Sequence, residues 1–100
     1  FFALNIEEVR WFTAEHGLVF AVDANRKRHL LDGTLSQLAE ELDGGAFFRA
    51  NRRYVVAARG VVGYRPYFKG RLILTLAPSA EEDVIVSAQN TRAFKSWMDR

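Results

Sequence analysis

The chain of 100 residues has no cysteine, which removes disulfide cross-links, thiolate nucleophiles and thiolate metal sites at once. Only two histidines occur, His16 and His29, and neither carries metal-ligand spacing or a nucleophile motif around it. No glycine-rich phosphate loop and no dinucleotide fingerprint is present. The reading is therefore of a protein that is not an enzyme, with no catalytic residue, no metal and no cofactor. Long apolar runs are also missing: nothing approaches the roughly 20 residues that cross a bilayer. The opening "FFALNIEEV" has neither a basic leader nor a small-residue cleavage site, so a cytoplasmic protein without membrane contact is expected. Strand-type sequence already at Phe1 suggests one domain taken from a longer chain.

The most informative absence is local. Between Gly44 and Ala80 there is no Asp or Glu, while Arg49, Arg52, Arg53, Arg59, Arg65, Lys69 and Arg71 supply seven positive charges. The rest of the chain holds all twelve acids against the other seven basic residues, so a net charge of only +2 conceals a strongly cationic segment. Such asymmetry points to a polyanionic partner, nucleic acid before anionic membrane. An arginine fork takes a phosphate or the O6/N7 edge of guanine through two donors, and each mode needs a guanidinium free of protein carboxylates. The segment "FFRANRRYVV" concentrates three arginines around Asn51, whose amide could read adenine or hold a phosphate.

The pattern predicts a mostly β domain, an elongated sandwich or multi-sheet fold with two short helices, spanning residues 1–100 as one unit. "EVRWF" places Val9, Trp11 and Thr13 on one face at period two, and "LVFAVDA" does the same with Leu18, Phe20 and Val22. Between them "TAEHG" reads as a tight turn, and "KRHLLD" as a third strand with one leucine inward. "GTLSQLAEELDGG" is a helix: Thr34 or Gly33 caps it, Leu35, Leu38, Ala39 and Leu42 form its apolar stripe, and the glycine pair ends it. Its acidic outer face would repel phosphate. "YVVAA", "GVVGYRPYF", "RLILTLA" and "VIVS" read as strands, with Leu72, Leu74 and Leu76 inward and Ile73 and Thr75 outward. Pro66 favours an edge position. The last helix carries a Phe94, Trp97 and Met98 stripe.

In order and wording these segments resemble the LytTR DNA-binding domain, the effector domain of many bacterial response regulators. "IEEVRWFTAEHG" resembles the opening strand and loop of that family. "TLSQLAEELDGGAFFRANRRYVVAARGVVGY" resembles its most characteristic stretch through Leu35, Leu38, Leu42, Phe48, Arg49, Arg52, Tyr54, Val55, Val56 and Val61. "RLILTL" and "VIVS" before a helix resemble its close. The resemblance implies a domain that lies along double-stranded DNA and inserts loops into successive major grooves, as a homodimer on direct repeats, behind an N-terminal receiver domain. The reading loops would be "TAEHG" with Glu15 and His16, "ANRRY" with Asn51, Arg52 and Arg53, and the region after Ser87. There Ala88 replaces a frequent arginine, which moves the contact to Gln89 and Asn90; Ala57 replaces a usual asparagine. His16, Asn51 and Arg52 are then the candidate base readers, and Arg49, Arg53, Arg65, Lys69 and Arg71 the candidate phosphate contacts. Two other readings stand beside this one. One is a small β-barrel interaction or sensor module that binds a protein or anionic ligand through the basic face. The other is a single-strand RNA binder that stacks bases on Tyr64, Tyr67 and Phe68.

Overall fold

A computed structural model describes residues 4–99, so the strand-type reading at Phe1 lies outside the described residues. The elements are β1 (Val9–Glu15), β2 (Leu18–Asp23), β3 (Arg28–Leu31), α1 (Leu35–Glu41), β4 (Phe47–Arg49), β5 (Tyr54–Ala57), β6 (Val61–Pro66), β7 (Leu72–Leu76), β8 (Val84–Val86) and α2 (Thr91–Met98). All pairings are antiparallel, in a five-stranded sheet ordered β3-β2-β1-β5-β4 and a three-stranded sheet ordered β6-β7-β8. The two sheets do not close into a barrel, and the molecule is elongated, 40 × 24 × 23 Å. Pro66 ends β6, an edge strand of the small sheet, where its missing N–H costs no ladder bond.

The large sheet is covered on both faces, which explains why its inner strand β5 reads as an unbroken apolar run and is buried at every position. On one face Trp11, Val22, Tyr54 and Val56 meet Leu72, Leu74, Val84 and Val86 of the small sheet together with Phe94 and Trp97 of α2. Phe94 is wholly buried and packs edge-on against Phe48 and Tyr64, so truncating it would remove about 3–5 kcal/mol. The Trp97 indole N–H donates to the Gly44 carbonyl at 3.0 Å, which pins α2 to the turn after α1. On the other face Val9, Phe12, Val19, Ala21, Phe47 and Val55 receive Leu35, with Leu38, Ala39 and Leu42 packed behind it. The α1 helix starts with a capping box: Thr34 Oγ1 accepts from the Gln37 N–H at 3.1 Å, and Gln37 Oε1 accepts from the Thr34 N–H at 2.8 Å.

Several expectations are corrected. Val9 does not share a face with Trp11, because the β1–β2 register shifts between them and the bulge at Arg10 turns Val9 toward α1 beside Phe12. The bulge coincides with a close approach. A Cβ on Gly60 would stand 2.5 Å from the Arg10 carbonyl oxygen, so only glycine fits there. In β2 Val22 faces the small sheet as expected, but Val19 and Ala21 are buried toward α1, Phe20 is half-buried and Leu18 is exposed. Ile73 is buried although it faces away from the core, since Arg65 and Ile85 flank it across the central strand β7. Strand β4 carries no alternation signal of its own in three residues, and α1 stops at Glu41 with Leu42 already extended, before the glycine pair.

Candidate nucleic-acid interface

The chain leaves β4 at Arg49, turns through residues 50–53 and returns as β5, and Asn51 holds that turn together. Its Oδ1 accepts from the N–H of Arg53 at 2.8 Å and of Tyr54 at 3.0 Å, and its Nδ2 donates to the Ile85 carbonyl on β8 at 2.7 Å. One side chain therefore shapes the loop and fastens it to the small sheet. Arg49 supports the same turn from below, donating through Nε to the Asn51 carbonyl at 2.8 Å and through Nη2 to the Arg52 carbonyl at 2.9 Å. Its Nη1 reaches Ser36 Oγ at 3.2 Å, not an acid of α1.

Arg53 departs from the expectation of free guanidinium groups. Its Nη1 pairs with Glu82 Oε2 at 2.8 Å, and its Nε donates to the Ala14 carbonyl at 3.3 Å. The same Glu82 oxygen accepts from the Tyr54 hydroxyl at 2.9 Å. Burial first, then this bond to a carboxylate, pushes the Tyr54 phenol up to about 12. Arg52, by contrast, is exposed and has no side-chain partner among the described residues.

These residues form the rim of a groove of about 640 Å³. Arg49, Asn51, Arg52, Arg53 and Tyr54 line one wall; Glu82, Asp83 and Ile85 line another; Ser87, Gln89 and Asn90 complete it. Two segments separated by more than thirty positions in sequence, the arginine loop and the turn before α2, thus share one cavity. Tyr54, Glu82, Asp83, Ile85 and Ser87 were not foreseen. Nothing in the polar run "APSAEED" marks Glu82 apart from its neighbours, because its place depends on where β8 lies against the loop.

The remaining predicted residues flank the groove. His16 and Gly17 form the β1–β2 turn with φ of 52° and 79°, the pair of positive angles that a two-residue hairpin turn requires. This turn abuts the loop, since the Ala14 N–H donates to the Arg53 carbonyl at 2.9 Å. Glu15 is engaged by Arg28 at 2.7 Å, and that hydrogen bond holds its carboxyl below the usual value. On the other side, Thr91 Oγ1 donates to the Gly70 carbonyl at 2.9 Å and ties the start of α2 to the β6–β7 hairpin. Lys69 stands at the hairpin tip, exposed, with φ of 59°. Arg71 is folded back, with Nε on the Phe68 carbonyl at 3.0 Å and its guanidinium 4.9 Å from the Tyr67 ring centre. Arg65 is exposed on β6 and shares the outer face of the small sheet with Ile73 and Ile85. Tyr64 is half-buried and packs edge-on against Phe94 with ring centres 5.4 Å apart.

Two facing sheets that present arginine-bearing loops around a groove define a β-scaffolded binding domain for a polyanion. The family model of the LytTr DNA-binding domain matches residues 1–99, and the chain belongs to that family. It is a DNA-binding family, not an enzymatic one. Among solved structures the fold is similar to a LytTr DNA-binding domain from Bacillus cereus. That match has a TM-score of 0.81 at 15% identity and covers 97% of this chain and 86% of the other. No curated protein matches the chain.

Proposed function

We propose that this domain binds double-stranded DNA sequence-specifically as the effector part of a bacterial transcriptional response regulator, reading major-groove edges through loops. The observation that carries this reading is the groove itself. It brings the unpartnered Arg52 together with the amides of Gln89 and Asn90, and Lys69 and Arg65, outside the groove, are exposed to meet phosphates. An arginine with both fork edges open recognises guanine, and amides recognise adenine. Asn51 has both oxygen lone pairs and one amide hydrogen engaged within the protein, so its role in this account is to hold Arg52 in place rather than to read a base. His16, on the neighbouring turn, serves as a second contact.

The 40 Å long axis exceeds the ~34–36 Å of one helical turn, so a domain lying along the duplex can touch successive grooves. Two copies would then sit on direct repeats as a dimer formed on DNA, each joined to a receiver domain that controls it by phosphorylation in the cytoplasm.

The test is a salt titration of fluorescence anisotropy with a pool of random duplexes about 25 base pairs long, followed by sequencing of the bound fraction. The expected result is a steep fall of affinity with salt and an enriched short motif recurring about one helical turn apart. Salt-insensitive binding without enrichment would contradict the reading.

A further inference from the structure

Among the described residues, Arg53 is the one cation of the acid-free 44–80 segment with a carboxylate partner. That partner, Glu82, comes from the β7–β8 loop and stands on the groove wall. A guanidinium clamps a phosphate through two adjacent donors, either Nε with Nη2 or Nη1 with Nη2. In Arg53, Nε donates to the Ala14 carbonyl and Nη1 to Glu82, so each of these edges includes a nitrogen already drawn to a protein acceptor. Glu82 is also held from behind, because the Tyr54 hydroxyl donates to the same oxygen that Arg53 meets. The Tyr54 side chain is only 4% exposed and is packed in the core between the sheets, so this anchor does not swing. A phosphate approaching Arg53 would find Nη2 as the one nitrogen without a protein partner and, beside it, the Glu82 carboxylate.

We propose that Glu82 tempers the DNA contact: anchored by Tyr54, its carboxylate draws Arg53 away from the phosphate backbone and so lowers the sequence-independent part of the affinity. This inference rests on the DNA-binding reading above. Phosphate attraction is the sequence-independent part of affinity, and base-edge contacts are the sequence-dependent part. Removing one phosphate clamp lowers affinity for every duplex, yet leaves the contacts of Arg52, Gln89 and Asn90 to decide among sequences. Glu82 acts as a positioning residue through Arg53, and its effect is read in the affinity for random duplex and in the salt slope.

The experiment compares the wild-type domain with Glu82→Gln on the preferred duplex and on random duplex across a salt series. Glutamine keeps an acceptor for Tyr54 and removes the charge. The expected result is tighter binding of random duplex by about threefold, the scale of one released surface ion pair, with a log–log salt slope steeper by about 0.9. The preferred duplex tightens by a similar factor, so the preferred-to-random ratio stays the same. In the double variant Glu82→Gln/Arg53→Gln the gain on random duplex disappears. Unchanged or weaker random binding by Glu82→Gln, with unchanged slope and melting temperature, would overturn the proposal. A gain that persists in the double variant would overturn it as well. A wild-type domain that binds no duplex would instead overturn the DNA-binding reading, whatever the variants do.

Discussion

The loop at residues 50–53 and the hairpin at residues 67–71 both belong to the acid-free segment, but they employ their cations differently. In the loop, Arg49 and Arg53 are struts: one braces two carbonyls of the turn, the other bridges Ala14 and Glu82. Among the described residues only Arg52 of this loop projects without a side-chain partner. In the hairpin the tip is open, Lys69 is exposed, and Arg71 folds back on Tyr67 and Phe68. The difference teaches that positive charge in a sequence measures attraction, while the hydrogen-bond ledger decides which charge can read. A rigid loop with one free fork suits base recognition, and an open tip with one ammonium suits a phosphate.

The largest way to break this comparison is to remove the loop's anchor. Asn51→Ala deletes the bonds to Arg53, Tyr54 and Ile85, and is expected to cost about 2–3 kcal/mol of stability together with most of the preference among sequences. Urea melts and anisotropy on two duplexes would measure both. Retained stability and retained preference would show that the loop holds its shape without the amide.

Alkaline titration addresses the Tyr54 and Glu82 bridge. The folded phenol stands near 12, above its ordinary 10.0, so its contribution to stability is fully present below pH 10 and is lost as pH rises from there toward 12. Chemical denaturation through this window should show a decline that Tyr54→Phe reduces. Identical slopes in both proteins would assign the decline to other groups. The smallest effect is expected at the hairpin. Lys69→Ala should weaken preferred and random duplex alike by less than about 1 kcal/mol and flatten the salt slope by about 0.9. A selective loss on the preferred site would make the tip a reader and erase the contrast.

The sequence revealed strands and helices where local signals agree with packing. The Thr34 cap of α1 marked where that helix starts, and the stripe of Phe94, Trp97 and Met98 and the alternation of Leu72, Leu74 and Leu76 predicted burial that the fold contains. It missed what depends on distant neighbours. The bulge at Arg10, which moves Val9 to the other face, follows from the approach of Gly60 and leaves no trace in the period of β1. Short β4 exists because β5 offers it a partner. At the candidate site, the arginine loop and the turn at Gln89 and Asn90 were legible as separate segments, and the groove joins them. The partners of Asn51, Arg49 and Arg53 were not legible, since Ile85, Ser36 and Glu82 come from other elements.

The most direct test of the central claim is the ratio of preferred-site to random-duplex affinity for Arg52→Ala, measured at fixed salt beside the wild-type domain. The account predicts a loss of about 1–3 kcal/mol on the preferred site and a much smaller one on random duplex, with the melting temperature unchanged. Equal losses on both duplexes would make Arg52 a phosphate contact and contradict the claim that this loop reads sequence.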